Sequence, residues 1–256
     1  MSSYFFSSAV RSAIGLVRQG NEDSALTDAH LVAVADGMGG HAGGEVASSL
    51  AIKTLASLSY LFKNTDIDND SVEDLLLNSI HTIDSEIGSY AKERPELSGM
   101  GTTLTTLVIV GDRVAMLHVG DSRAYRIRGN SIEQLSADHT VLAELISQGT
   151  ITQAEATNHP QRSMLTQALM GEGIAHPALM EYELREGDRF IICSDGLSSV
   201  LSEKEIKSLL KNDRTECVNA LVEATYLQGA PDNVTIIVAD VVRQSSDTEM
   251  LWGAAQ

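Results

Sequence analysis

The feature that most restricts the fold is a pair of tight turns set beside apolar runs. Leu104 to Val110 and Val114 to Val119 read as strands separated by Gly111-Asp112, and Ala124 to Arg128 runs straight into Gly129-Asn130. Connections this short join antiparallel neighbours, because a parallel partner needs a crossover of a dozen residues or more. The sheet is therefore at least mixed, not a purely parallel doubly wound one. Further strand candidates are Tyr4 to Val10, Leu31 to Ala35, Arg189 to Cys193 and Val234 to Val241.

Helical periodicity brackets this strand-rich middle. Between Ser71 and Tyr90 the residues Val72, Leu76, Ile80, Ile83, Ile87 and Tyr90 recur at steps of three and four and define one apolar face. Ser71-x-x-Asp74 reads as the capping box that opens it. Other helical stretches run from Glu45 to Leu58, from the box Ser202-x-x-Glu205 toward Leu210, and from Glu216 to Leu227. This order predicts one domain in which helices cover the outer faces of strongly antiparallel sheets. The polar segment 138–164 carries a short helical pattern at Val141 to Ser147 and the breaker His159-Pro160, and reads as either a mobile flap or a surface connection. The tail from Gln244, beyond the last expected strand, is expected to be flexible.

Charge narrows the function. Acidic residues outnumber basic ones 35 to 18, a net charge of −17, and such a field repels nucleic-acid backbones and anionic lipid. A substrate carrying phosphate would need a local cation or arginine to overcome it. No run reaches the ~18 apolar residues of a membrane span, and Met1 to Ser12 lacks the features of a secretory signal. Cys193 and Cys217 have neither metal-ligand nor disulfide-framework spacing, which fits a reducing cytosol. Cys193, inside Phe190 to Cys193, reads as a buried structural thiol.

Four aspartates share an unusual placement. Asp36 ends the run Leu31 to Ala35, Asp195 follows Phe190 to Ser194, Asp121 follows Met116 to Gly120, and Asp232 precedes Val234 to Val241. Any one of them could be a turn residue, since Asp-Gly is a favoured turn pair. Together, at strand ends on one rim, they would repel one another unless a cation lay between them. Carboxylates without cysteine or histidine partners are hard oxygen ligands suited to Mg²⁺ or Mn²⁺ and not to zinc. Two such ions would acidify a bridging water into a hydroxide nucleophile, the arrangement of two-metal phosphate ester hydrolases. A rival reading rests on Gly37-x-Gly39-x-x-Ala42, a loose dinucleotide fingerprint with Asp66 as the ribose acid. It would set Asp36 against a pyrophosphate and leave the other three aspartates without a role. No Walker lysine follows the glycines, which excludes a P-loop.

The motifs, taken in order, resemble the bacterial branch of the 2C-type metal-dependent protein serine/threonine phosphatases. They are Gly15-Leu16-Val17-Arg18-x-x-Asn21-Glu22-Asp23, Ala35-Asp36-Gly37-Met38-Gly39-Gly40-His41, Gly99-Met100-Gly101-Thr102-Thr103, Val119-Gly120-Asp121-Ser122-Arg123, Ser194-Asp195-Gly196-Leu197 and Asp232-Asn233-Val234-Thr235. The resemblance spans about Ala9 to Asp240. It implies an α+β fold, a four-layer α-β-β-α sandwich of two largely antiparallel sheets flanked by helix pairs, with the metal site at one end. It implies a catalytic domain over residues 1–242 and a flexible C-terminal tail over 243–256.

The same resemblance implies site roles. Asp36 would bridge two core Mn²⁺ or Mg²⁺ ions, the Gly37 carbonyl would sit on one of them, and Asp195 and Asp232 would complete the other. Glu22 would hold metal-bound water, Asp23 would orient the catalytic histidine, and Arg18 would clamp the substrate phosphate. His41 would act as general acid on the departing serine or threonine oxygen. A third ion would lie on Asp121 and Asp195, with Ser163 as a further ligand. The implied partners are phosphorylated proteins, a serine/threonine kinase and its targets, met by a cytoplasmic monomer. The sequence stops soon after the last expected strand, unlike membrane-anchored relatives, so either the protein is a free cytosolic enzyme or a membrane segment lies outside this sequence. A catalytically inactive relative that binds phosphoproteins would keep the fold and lose the ligands; here the acids and Arg18 are all present.

Overall fold

Side-chain parity along the strands builds the molecule in layers. The computed structural model describes residues 4–40, 43–62, 69–156, 159, 161, 164–211, 213–245 and 247–256. On strand β3 (Leu31–Met38), Leu31, Ala33 and Ala35 face one apolar core while Val32 and Val34 face another. On β11 (Val234–Val242), Ile237, Ala239 and Val241 enter that second core from the other side, and Val234, Ile236 and Val238 face a third. Successive residues of a strand point to opposite faces, so two sheets stacked face to face produce one inner core and two outer ones. The outer cores are closed by helices.

Among the described residues, one sheet has five strands in the order β1-β11-β10-β7-β8. These are β1 (Phe5–Ala13), β7 (Arg123–Arg128), β8 (Ser131–Gln134), β10 (Arg189–Cys193) and β11. The other follows the order β12-β2-β3-β5-β6-β9, with β4 (Gly101–Thr102) paired to the end of β3. Its members are β2 (Asp23–Thr27), β5 (Leu104–Val110), β6 (Arg113–Val119), β9 (Ala178–Glu183) and β12 (Met250–Gly253) beside β3. Every described strand pairing is antiparallel, as the hairpin turns at Gly111 and Gly129 predict.

Helices α1 (Gly43–Phe62) and α2 (Asn69–Glu93) cover the second sheet. Val72, Leu76, Ile80, Ile83 and Ile87 are all buried. Burial of each such side chain contributes about 1.5–3 kcal/mol, which accounts for the helix better than its local propensity does. The helix begins two residues before Ser71, so Ser71 lies in its first turn and not at the cap. Between β8 and β9 lie two short helices, α3 (Val141–Ser147) and α4 (Gln153–Ala156). The opposite face of the sandwich is closed by α5 (Asp195–Ser198), α6 (Glu203–Ser208) and α7 (Arg214–Leu227). On α6 the expected box is formed: the Glu205 backbone N–H donates to Ser202 Oγ at 3.4 Å and Ser202 N–H donates to Glu205 Oε2 at 2.8 Å.

The C-terminal segment corrects the expectation of a flexible tail beyond the last strand. Met250–Gly253 pairs with Thr27–Ser24 as an edge strand. Trp252 packs against the inner core while its indole N–H donates to Thr27 Oγ1 at 3.2 Å, and Leu251 packs on the helix side. The cause is a vacant β2 edge, which needs backbone partners. β2 itself, Asp-Ser-Ala-Leu-Thr, carries no alternating apolar pattern. It is nonetheless buried along its length, because it lies between β3 and β12 and under α1, where Ser24 and Ser48 meet hydroxyl to hydroxyl at 2.9 Å.

Candidate metal centre and phosphoester site

One end of the sandwich collects the acids. Asp36 has the parity of Val32 and Val34 and therefore points between the sheets. Asp23, the first residue of β2, is its register partner directly opposite. Asp195 sits just past β10 and opens α5, Asp121 lies two residues past β6, and Asp232 lies two residues before β11. These strand ends belong to both sheets, and they lie on the same rim of the stack. A cavity of about 440 Å³ opens there, lined by Arg18, Glu22, Asp36, Asp121, Asp195 and Asp232 among others.

Close backbone contacts hold the rim. A Cβ on Gly37 would lie 2.1 Å from the Gly44 carbonyl oxygen, and one on Gly196 would lie 1.9 Å from the Asn233 carbonyl oxygen, so neither position has room for a side chain. The Asp36 N–H donates to Thr103 Oγ1 at 3.0 Å, and Thr103 N–H returns a bond to the Asp36 carbonyl at 2.9 Å. Asn233 ties two loops together: its Oδ1 accepts from Glu22 N–H at 2.9 Å and its Nδ2 donates to the Gly20 carbonyl at 2.9 Å. Ser194 Oγ accepts from Thr235 N–H at 3.0 Å and donates to Asp23 Oδ2 at 2.7 Å. Thr103, Asn233 and Ser194 all stand within the recognised motifs, yet their bracing function depends on contacts that spacing does not reveal.

The electrostatics follow from this crowding. Burial, then Asp23, Asp195, Asp121 and Asp232, push the Asp36 carboxyl well above the usual carboxylate range. Burial foremost raises Asp23 to about 7, with Asp195 and Asp232 adding to it. Asp121 is raised to about 7 by burial and then by Asp195, and Asp195 to about 6 by burial and then by Asp232. Burial also lifts Glu22, against the pull of Arg18. Like charges at short range cannot all ionise without a counter-charge. Among the described lining residues the only cationic one is Arg18, whose Nη2 donates to Asp232 Oδ2 at 2.5 Å.

Among the described residues no three acid, histidine or cysteine side chains converge into a closed ligand set, and Asp232 is turned onto Arg18. The donor chemistry still fits a hard divalent cation: several oxygen acids on one rim, mutually repelling, with no sulfur or imidazole among them. Of the residues singled out from sequence, Arg18, Glu22, Asp36, Gly37, Asp121, Asp195 and Asp232 all line the one cavity. Asp23 lies behind it against Ser194. His41, Ser163 and the rival ribose acid Asp66 lie outside the described residues.

The far wall of the cavity was not anticipated. It is formed by Leu165 to Ala168, Met170, Glu172, Ile174 and Ala175, just beyond the segment 138–164 that reads from sequence as either a mobile flap or a surface connection. Gly171-x-Gly173, with both glycines in the left-handed region, is the local signal that marks it as a shaped turn. His118 is buried, shares a hydrogen bond of 2.9 Å with Thr105 Oγ1 and is held down to about 4, first by burial. Cys193 is fully buried, and that burial pushes its thiol up to about 12.

Comparison with known proteins agrees with this geometry. The sequence profile of the family described as protein phosphatase 2C matches residues 15–228. The serine/threonine protein phosphatase PstP of Mycobacterium tuberculosis is 43% identical over 91% of this chain, which spans 45% of that relative's length. The serine/threonine phosphatase Stp of Listeria monocytogenes is 33% identical, with 88% of this chain and 92% of the relative aligned. A crystal structure of the catalytic domain of PstP in complex with two manganese ions superposes with a TM-score of 0.84 at 40% identity, covering 94% of this chain and all of that one. The profile, the sequence relatives and the shared architecture agree that the chain belongs to the protein phosphatase 2C family.

Proposed function

We propose that this chain is a metal-dependent protein phosphatase that hydrolyses phosphoserine and phosphothreonine in proteins, opposing serine/threonine kinases in bacterial signalling. The observation that carries the reading is the rim of mutually repelling carboxylates beside Arg18, in a fold whose relative holds two manganese ions. Asp36 would bridge two core ions, with the Gly37 carbonyl on one side and Asp195 and Asp232 on the other, and Glu22 would hold ordered water. Mn²⁺ or Mg²⁺, when bound, supplies charge neutralisation for the phosphate and acidifies water. Asp121, raised by burial and then by Asp195, would take a third ion together with Asp195 and Ser163.

The chain's own groups supply orientation and proton transfer. Arg18, about half exposed at the mouth, offers a planar fork of donors to the phosphate oxygens once Asp232 is drawn away from it. Asp23 would orient His41, which would protonate the departing alkoxide. The chain would act as a cytoplasmic monomer on phosphoproteins, a kinase and its targets among them. Among the described residues no helix is long and apolar enough to cross a membrane.

The test is hydrolysis of a phosphothreonine peptide by chelated protein, with and without added Mn²⁺. Turnover that appears only with metal is expected, and full turnover in chelator would overturn the metal-dependent mechanism. The role of His41 is tested separately by His41→Ala. It should slow a phosphoserine peptide about 10²-fold more than p-nitrophenyl phosphate, whose leaving group needs no proton.

A further inference from the structure

The far wall of the cavity is not held only by its own loop. Asp84, buried on α2, accepts from the backbone N–H groups of Met170 at 3.0 Å and Gly171 at 2.8 Å through Oδ1, and of Gly173 at 2.7 Å through Oδ2. One helical turn on, Gly88 meets the same turn backbone to backbone. A Cβ on Gly171 would stand 2.1 Å from Gly88 Cα, and a Cβ on Gly88 would stand 2.7 Å from the Gly171 carbonyl oxygen. At its base the wall is stitched by reciprocal bonds between Leu169 and Thr102, at 3.0 and 2.9 Å, and the Thr102 hydroxyl donates to the Asp36 carbonyl at 3.0 Å.

The side chains of Met170, Glu172 and Ile174, on and between these anchored amides, line the same cavity as Arg18 and the acid rim. We infer that Asp84 is a positioning residue for protein substrates: by capturing three amides it fixes the wall against which the residues flanking the phosphoamino acid pack. This rests on the phosphatase reading above. The chemistry demands an aspartate. Three converging N–H donors need a group that only accepts, and a carboxylate spans them with both oxygens, where an amide would turn an NH₂ group toward one donor. With Gly171 and Gly173 both in the left-handed region, the turn has little intrinsic preference for this one shape. Remote anchoring of this kind acts on how a large substrate is oriented.

The experiment compares wild type, Asp84→Asn and Asp84→Ala on a phosphothreonine peptide and on p-nitrophenyl phosphate, which has no flanking residues. The peptide KM should rise roughly tenfold in Asp84→Ala and by less in Asp84→Asn, which keeps the Oδ1 pair and loses the Gly173 bond, while kcat on the small ester stays within about twofold. Hydrogen exchange at Met170, Gly171 and Gly173 should accelerate in the same order. Equal losses on both substrates, or unchanged peptide KM with accelerated exchange, would reduce Asp84 to a purely structural residue. If Asp84→Ala does not fold, Asp84→Asn decides alone. Should wild type turn over neither ester, the phosphatase reading falls, and the same variants read by calorimetric binding of the phosphopeptide against inorganic phosphate still decide Asp84.

Discussion

The two ends of the sandwich are built from the same residue type and treat it in opposite ways. At the end away from the cavity, Asp240 is held by Arg189 at 2.6 Å and Arg214 at 3.0 Å, and Asp188 receives two donors of Arg128 at 2.7 and 2.6 Å. At the cavity end, Arg18 pairs with Asp232 and lines one cavity with Asp36, Asp121 and Asp195, while Arg123 of the neighbouring strand is paired with Asp138 at 2.6 Å. Strands β10 and β11 run through both ends, each with an acid or its partner at either extremity. One end is neutralised within the chain, and the other is the end where the proposed metal ions would supply the missing charge. Stability and function are therefore separated along the strand axis.

The sharpest way to break this contrast is to neutralise one acid at each end. Asp36→Asn should lower phosphopeptide turnover by at least about 10²-fold, since even partners of metal ligands cost 10- to 100-fold. It should also raise the melting temperature of the chelated protein, because the folded state no longer has to hold a buried carboxyl protonated among other acids. A melting temperature that falls in chelator would show that the rim is not under repulsion. At the other end, Asp240→Asn should cost about 2 kcal/mol in denaturant unfolding through loss of charge-assisted bonds to two arginines, with kcat per folded molecule unchanged. A loss of turnover there would join the two ends functionally.

The smallest effect sharpens the comparison by pH. Asp23 and Asp121 are raised to about 7 and Asp195 to about 6, above the ordinary aspartate value near 3.9. The chelated folded state therefore binds protons that the unfolded state has already released, and its stability falls as pH rises from about 4 through about 7. Thermal melts in chelator should lose several degrees between pH 5 and pH 7.5, and added Mn²⁺ should restore them at pH 7.5 by binding the ionised acids. Melts independent of pH in chelator would remove the acid rim as the source of strain.

Legibility followed the range of the interaction that fixes each element. The faces of α2, the box at Ser202 and the strands β5, β6, β10 and β11 depend on periodicity within a dozen residues, and the structure places them within a few residues of expectation. β2 and β12 carry no clear alternation, and they become strands because neighbouring edges offer hydrogen-bond partners. The tail over 243–256 illustrates the difference: nothing local marks Met250–Gly253, but Trp252 fills a place beside β2 that exists only after the sheet forms.

The site divides along the same line. The sequence alone determined that aspartates stand at strand ends, since Asp36, Asp121, Asp195 and Asp232 each adjoin an apolar run, and their oxygen-only chemistry already pointed to hard cations. Tertiary structure decided that Asp23 faces Asp36 across a register pair, that Arg18 reaches Asp232 over 214 positions, and that Asp84 holds amides 86 to 89 residues away. A strand's period is set by its own backbone. Which carboxylate shares a solvent-poor rim with which, and which turn leans on which helix, is set by how two sheets and the helices outside them close over common cores, and a one-dimensional pattern does not encode those distances.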